Sequence, residues 1–189
     1  MRVASLVATF LILSGLTLAP LAAGAVAGEP EVPTPEAFLG TKPGTDRYLA
    51  PWPQVVAYLR AVDAASERVA IESAGTSTLG NDLPVVIVTA EANHRNLDRY
   101  REIARRLAQP DGLSGADTEG LIAEGKAIVL VTCSIHSTEV GSTQMAMELV
   151  HELATTTDPR MLGWLDDVIL LLMPSINPDG QVMVVDWYQ

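Results

Sequence analysis

The sequence predicts an α/β protein with three layers, α/β/α, in which helices cover both faces of a mixed β-sheet. Residues 126–134 and 167–175 are nearly unbroken apolar runs, which are typical of strands buried on both faces. Residues 140–156 between them repeat apolar side chains at helical intervals. The order strand, helix, strand predicts a right-handed parallel crossover. At 189 residues the chain is long enough to build one domain with a substantial core.

Residues 1–27 predict a secretory signal peptide. Arg2 precedes the uncharged apolar stretch Val3–Leu18, and small residues lead to an Ala-x-Ala site that ends at Ala27. We expect cleavage after Ala27 and export, so that the mature protein is secreted or periplasmic. A membrane anchor is the alternative, but the apolar run is shorter than the ~20 residues of a bilayer span. We therefore expect no stable membrane anchor after cleavage.

The composition bears on partners and on cysteine chemistry. Twelve Lys and Arg residues stand against twenty-three Asp and Glu residues, which gives a formal charge of −11 at pH 7. This charge disfavours contact with a phosphate backbone, so nucleic acid is not an expected partner. Cys133 is the only cysteine, which excludes an internal disulfide. Because it lies within an apolar run, we expect it to be a small buried side chain.

The first half of the chain predicts an arm, a helix and a hairpin. Residues 28–53 are rich in Pro and Gly and predict an extended N-terminal arm. Residues 53–67 have apolar side chains at helical spacing behind a proline that suits a first helical turn. Residues 68–75 and 83–90 predict strands, and the Gly and Asn-Asp between them predict a turn. Together the two strands indicate a β-hairpin.

Two further helices complete the predicted elements. Residues 93–109 alternate charge along their length and predict a surface helix that ends before Pro110. We expect its arginines to form a solvated face, with a binding role as the alternative. The helix at 140–156 is expected to pack through its apolar side chains Met145, Leu149, Val150 and Leu153.

Polar residues follow both apolar runs and form the candidate site. His136 and Glu139 follow the first run, and residues 177–180 follow the second. Ligands of such sheets bind beyond the carboxyl ends of the strands, so neighbouring parallel strands would bring both loops to one crevice. Zinc accepts a His nitrogen and a carboxylate oxygen, and a catalytic zinc site uses three protein ligands. On these residues alone, a solvated loop and a simple turn remain open alternatives.

The motifs taken together resemble those of the zinc carboxypeptidase family, peptidase family M14. Residues 134–154 and 168–181 are similar to its succession of strand, H-x-x-E loop, helix, strand and N-P-D-G loop. Residues 58–90 resemble its opening helix, strand and G-x-S/T-x-x-G-x-x-L turn. The resemblance covers roughly residues 51–189 and implies a carboxypeptidase-like fold. It also implies that residues 54–189 are the N-terminal part of a catalytic domain that is cut short.

The resemblance implies a role for each candidate residue. His136 and Glu139 match the first two ligands of a catalytic Zn²⁺. The family's third ligand, its glutamate base, its arginines and its tyrosine have no counterpart here, and they would lie beyond Gln189. His151 does not replace the third ligand, because it lies about 18 Å along the predicted helix from Glu139. The spacing of His94 in the sequence gives no indication that it lies near the site. The residues that match a site-shaping loop are Asn177, Pro178, Asp179 and Gly180.

Three functions are compatible with these residues. The first is a zinc-dependent metallocarboxypeptidase whose substrates are peptides or proteins, with this chain alone expected to be inactive. The second is a zinc-dependent deacylase of N-acyl amino acids, because relatives with the same sheet also use H-x-x-E. The third is an inert fragment or binding module of the same fold. The exported N-terminal section and the N-P-D-G loop favour the peptidase.

Overall fold

The computed structural model describes residues 31–189. The predicted signal peptide, residues 1–27, lies outside the described residues. The strands are β1 Val69–Thr76, β2 Asp82–Val88, β3 Ala127–Thr132 and β4 Val168–Met173. The helices are α1 Pro35–Leu39, α2 Trp52–Ala65, α3 Glu91–His94, α4 Leu97–Ala108, α5 Gly115–Glu124, α6 Val140–Thr155, α7 Pro159–Asp167 and α8 Pro178–Tyr188.

The four strands form one mixed sheet in the order β1-β2-β4-β3. β1 and β2 pair antiparallel as the predicted hairpin, and β2 also runs antiparallel to β4. β3 and β4 pair parallel, with Ala127 opposite Val168 and Thr132 opposite Met173. The helices α6 and α7 both lie in the connection between these two parallel strands. The predicted order strand, helix, strand is therefore confirmed.

Helices lie on both faces of the sheet, which confirms the three-layer α/β/α architecture. On one face, side chains of α2 and α6 share a buried core with alternate strand residues such as Val86, Val88 and Leu172. Neighbouring strand residues point to the opposite face. There Ile87, Ile169 and Leu171 line a cavity together with side chains of α4. Cys133 is 6% exposed within the first core, as predicted for a small buried residue.

The expectation that both apolar runs are central strands buried on both faces is wrong for β3. Among residues 31–189, β3 is an edge strand whose one neighbour is β4. Ile128 and Val129 are each 43% exposed, and Leu130 is 60% exposed. The physical reason is that α4 and α5 lie near the beginning of this strand, at Ala127 and Ile128, while Leu130 farther along is more exposed. Its apolar side chains are therefore only partly covered.

The segment that precedes α2 is not extended throughout. Thr34 caps the short helix α1 by accepting a hydrogen bond from the backbone N–H of Ala37. Phe38 of α1 then meets the ring of Tyr58 edge-on, with the ring centroids 5.4 Å apart. The hydroxyl of Tyr58 donates to the carbonyl of Pro33 at 3.2 Å. These contacts fasten the segment to α2.

The helices differ from the sequence-based expectation in three ways. The single helix predicted at 93–109 is divided into α3 and α4 by a break at residues 95–96. Met145, predicted to pack inward from α6, is 46% exposed, whereas Met147 is fully buried. α5, α7 and α8 were not predicted, although Ser114 and Asp117 form a capping box at the start of α5. Within residues 31–189, no helix has both the length and the apolar character needed to cross a bilayer.

Candidate metal site

The candidate site lies where the parallel strands β3 and β4 end. The two segments stay paired just beyond the strands. The N–H of Cys133 donates to the carbonyl of Met173 at 2.9 Å, and the N–H of Ile176 donates to the carbonyl of Cys133 at 3.0 Å. After these bonds the segments separate into two loops: the His136 loop, which carries His136 and Glu139, and the second loop, which carries residues 177–180. The predicted position of both loops at one edge of the sheet is confirmed.

His136 and Glu139 contact each other directly. Nδ1 of His136 lies 2.8 Å from Oε1 of Glu139, and the backbone N–H of His136 donates to Oε2 at 3.0 Å. The N–H of Glu139 donates back to the carbonyl of His136 at 3.0 Å. The side chains are 76% and 46% exposed. The pair is therefore a compact turn that presents one imidazole and one carboxylate to solvent.

The contact defines the charge state of the carboxylate. The side-chain hydrogen bond from His136, followed by the backbone N–H of the same residue, lowers the pKa of Glu139 below its ordinary value of 4.5. Glu139 is therefore ionised at neutral pH. Because an ionised carboxylate only accepts hydrogen bonds, Nδ1 carries the proton in this contact. Ligation of a metal through Nδ1 requires the loss of that proton.

The donor types of this pair suit a zinc ion, and their spacing is somewhat too short. Zinc bonds to nitrogen and carboxylate oxygen are about 2.0–2.2 Å long, and a tetrahedral angle would put two such ligand atoms about 3.3 Å apart. The separation of 2.8 Å between Nδ1 and Oε1 is about half an ångström shorter. The turn would have to open by about this amount to hold the ion, and both of its side chains are exposed to solvent. Among the residues that the structure describes, no group of three or more His, Cys, Asp or Glu side chains could hold a metal.

Asn177 joins the second loop to the first. Its Oδ1 accepts a hydrogen bond from the N–H of Gly180 at 3.0 Å, which caps the N-terminus of α8. Its Nδ2 donates to the carbonyl of Ile135 at 3.0 Å. One side chain therefore connects the start of α8 to the residue immediately before His136. Pro178 is buried in the first turn of the same helix.

Gly180 brings the first turn of α8 against the His136 loop. A Cβ added at Gly180 would lie 2.8 Å from Cβ of Ser137 and 2.7 Å from Nδ2 of Asn177. Both distances are below the closest approach of ordinary Cβ atoms. The close packing of these two segments therefore requires glycine at this position.

Asp179 binds the hairpin turn between β1 and β2. Its carboxylate accepts hydrogen bonds from the hydroxyl of Ser77, from Nδ2 of Asn81 at 2.8 Å and from the N–H of Leu79 at 3.1 Å. The side-chain hydrogen bond from Ser77, then that from Asn81, lowers the pKa of Asp179. Residues 177–180 thus fix the positions of two neighbouring segments, and the role of site-shaping loop stays a prediction.

The other two histidines lie away from this pair. His151 is near the C-terminal end of α6, three turns beyond Glu139. His94 lines a cavity with Asp63 and Arg68 near the start of β1, at the opposite edge of the sheet. Neither is brought to the site, in agreement with the sequence-based expectation. The structure adds Ser134, which is 5% exposed and lies beneath the loop. Nothing in its sequence context distinguishes it from other serines.

The chain is similar to known proteins in sequence. A family model described as zinc carboxypeptidase, Peptidase_M14, matches residues 55–188. Carboxypeptidase D of Mus musculus is 34% identical over 74 residues, which are 38% of this chain and 5% of that protein. Carboxypeptidase D of Rattus norvegicus is 35% identical over 69 residues, which are 35% of this chain and 5% of that protein.

Two solved structures share the fold. The crystal structure of thrombin activatable fibrinolysis inhibitor (TAFI) superposes with a TM-score of 0.53 and 13% identity, over 74% of this chain and 28% of that one. Carboxypeptidase A from Helicoverpa armigera superposes with a TM-score of 0.51 and 15% identity, over 81% of this chain and 33% of that one. The chain therefore spans about a third or less of the solved structures it matches, and 5% of the curated relatives.

Proposed function

The chain belongs to the zinc carboxypeptidase family, and on that premise we propose that it is part of a zinc-dependent metallocarboxypeptidase to which it contributes two metal ligands. His136 would supply an imidazole nitrogen, and Glu139 would supply a carboxylate oxygen. Residues 177–180 would hold the His136 loop in place. The substrates would be peptides or proteins, and the reaction would be hydrolysis of a peptide bond.

Each of these side chains has a defined task in the proposed reaction. When bound, zinc lowers the pKa of a coordinated water to near neutrality and polarises the carbonyl that is attacked. The ionised carboxylate of Glu139 offers negative charge to the cation, and His136 offers a neutral lone pair once Nδ1 has lost its proton. Asn177 orients the backbone at Ile135, next to the imidazole. This arrangement holds two ligands in a fixed relation.

The remaining parts of the catalytic site are proposed to come from outside residues 31–189. Within those residues no third metal-ligating side chain joins the pair, and the chain spans 28% and 33% of the two solved structures. We propose that a third ligand and a general base are supplied elsewhere in the enzyme. Export through the predicted signal peptide at residues 1–27 would place the protein in the periplasm or outside the cell.

One observation carries the proposal. Nδ1 of His136 and Oε1 of Glu139 converge to 2.8 Å at the carboxyl edge of two parallel strands. This is the edge at which open α/β sheets bind ligands. Within a chain of this family, such a pair is better explained as metal ligands than as a solvated turn.

A zinc titration of the purified 189-residue chain tests the proposal. We expect weak, specific binding, because two protein ligands hold zinc far less tightly than three. His136→Ala should abolish this binding, and Glu139→Gln should weaken it, since an amide oxygen carries no charge. His151→Ala is the matched control and should bind as the parent does. Equal affinities for the parent and His136→Ala would remove the metal site.

The activity is tested separately from metal binding. The chain of residues 28–189, which lacks the predicted signal peptide, should not hydrolyse peptides, because its described residues show no third ligand for a catalytic zinc. The full-length gene product should cleave peptides, and it should lose this activity in the His136→Ala variant. Preferential hydrolysis of N-acyl amino acids by the full-length protein would replace the peptidase with a deacylase.

A further inference from the structure

Ser134 has an unusual backbone conformation directly before the His136 loop. Its φ is 51°, in the left-handed region that L side chains rarely adopt. Among the described residues, Arg47 is the other non-glycine residue with positive φ, at 61°, and its side chain is 87% exposed. Ser134 is instead 5% exposed. A strained, buried conformation persists only where surrounding contacts hold it, and such strain concentrates at functional sites.

The hydroxyl of Ser134 supplies these contacts. Its Oγ donates to the backbone carbonyl of Glu139 at 2.9 Å, and it lies 2.9 Å from Oγ of Ser142 and 2.7 Å from Oγ1 of Thr143. The carbonyl of Glu139 also accepts from Oγ of Ser142 at 2.9 Å and from its N–H at 3.2 Å. Three donors therefore fix the backbone of Glu139 in one orientation.

Thr143 extends the contact to the rest of the fold. It is fully buried, and its Oγ1 lies 3.0 Å from the carbonyl of Pro174 and 3.0 Å from Oε1 of Gln181. Pro174 follows β4, and Gln181 lies in the first turns of α8. A chain of buried hydroxyl contacts thus runs from the Glu139 backbone through α6 to the second loop. Buried polar contacts of this kind specify a single geometry.

We propose that Ser134 is a positioning residue for the His136 and Glu139 pair. The proposal rests on the proposed function, since the pair is taken as the metal ligands. Ser134 touches neither the imidazole nor the carboxylate, and it acts by fixing the backbone from which Glu139 extends. Partners of this kind orient metal ligands, and their loss lowers metal affinity by about 10–100-fold.

Two substitutions separate positioning from general stability. Ser134→Gly removes the hydroxyl and also relieves the left-handed strain, because glycine adopts positive φ freely. Ser134→Ala removes the hydroxyl and keeps the strain, so it should be the less stable variant in urea. We expect both to bind zinc about 10–100-fold more weakly than the parent despite their different stabilities. Arg47→Gly relieves the same backbone strain at an exposed position and should bind zinc as the parent does.

Amide hydrogen exchange of the metal-free chain gives a second readout that does not need zinc. Exchange of residues 135–142 should become faster in both Ser134 variants, with little change in the sheet. Parental zinc affinity in Ser134→Gly would overturn the proposal, as would unchanged exchange of the loop or exchange that rises equally throughout the chain. If the parent binds no zinc but the loop exchange rises as expected, the proposed function fails and the positioning of this loop by Ser134 stands.

Discussion

Replacement of Gly180 by alanine tests whether the contact between α8 and the His136 loop shapes the site. The added Cβ would lie 2.8 Å from Cβ of Ser137, whereas ordinary contacts begin at 3.4 Å. The two segments would have to separate by about 0.6 Å or more, which overpacked sites relieve at a cost of about 1–3 kcal/mol. Movement of Nδ2 of Asn177 would add the loss of its bond to Ile135, about 1 kcal/mol.

The stabilisation that alanine brings to a helix opposes this loss only weakly. Alanine is favoured over glycine within a helix by about 0.5–1 kcal/mol, but Gly180 lies in the first turn of α8, where this gain is least. We therefore expect Gly180→Ala to lower the free energy of unfolding by about 1–3 kcal/mol, and to weaken zinc binding. Urea unfolding monitored by circular dichroism measures the first effect, and calorimetric titration measures the second.

Gly163→Ala is the matched control. Gly163 lies in α7 with no atom within 4 Å of an added Cβ and no positive φ. Gly163→Ala should raise the free energy of unfolding by about 0.4–1 kcal/mol, because alanine reduces the freedom of the unfolded chain. Its zinc affinity should be unchanged. The double variant Ser137→Gly with Gly180→Ala should recover part of the lost stability, because it removes one of the two clashing carbons. The reasoning is refuted if Gly180→Ala and Gly163→Ala have the same stability and the same zinc affinity.

Two further predictions concern acid stability and self-association. The depressed pKa of Asp179 means that its stabilising contribution is fully present above its ordinary value of 3.8 and is lost as pH falls through the lower folded value. Asp179→Asn should therefore unfold at a lower temperature than the parent at pH 7, and the difference should shrink below about pH 4; a difference independent of pH would contradict this. The exposed edge of β3 is a template for pairing with another chain, so Leu130→Lys should reduce self-association in sedimentation experiments. Leu79→Lys, at the exposed hairpin turn, should leave self-association unchanged, and an equal effect of both variants would argue against the strand edge as its origin.

The strands and the hairpin were predictable from the sequence because periodicity and turn residues are local signals, whereas the strand order β1-β2-β4-β3 was not predicted. The run at 167–175 became β4, and the hairpin at 68–90 formed with the predicted turn, since alternation and turn residues are local signals. The same logic failed for β3, because an apolar run predicts a strand but not which of its faces a neighbour covers. Met145 was predicted to pack inward because it lies four residues before Leu149, but the buried face of α6 includes Met147 and Val150, which are three residues apart. The apolar pattern therefore predicted the helix correctly and misplaced its buried face.

The candidate site was predictable in its residues and not in its supports. His136 and Glu139 carry recognisable chemistry and meet within one local turn, and the parallel pairing of β3 and β4 brings the loop of Asn177 to the same edge of the sheet. The Asn-Pro and Asp-Gly pairs predict a turn at Asn177, although Asn at the N-cap with Pro at the first helical position also signals the start of a helix. The contacts of Ser134 with Ser142 and Thr143 depend on side-chain rotamers and on a left-handed backbone. No local pattern encodes such features.

The bond between Ser77 and Asp179 has a consequence for the order of folding. It joins residues 102 positions apart, and the bond from Asn81 spans 98 positions. Contacts of such separation form late, because a long loop must close before they contribute. During synthesis the hairpin leaves the ribosome about a hundred residues before its partner, so α8 reaches the hairpin turn only after the earlier strands are complete. The His136 loop, which α8 contacts through Asn177, is therefore expected to reach its final geometry near the end of folding. Zinc would then bind only to a chain that is almost completely folded.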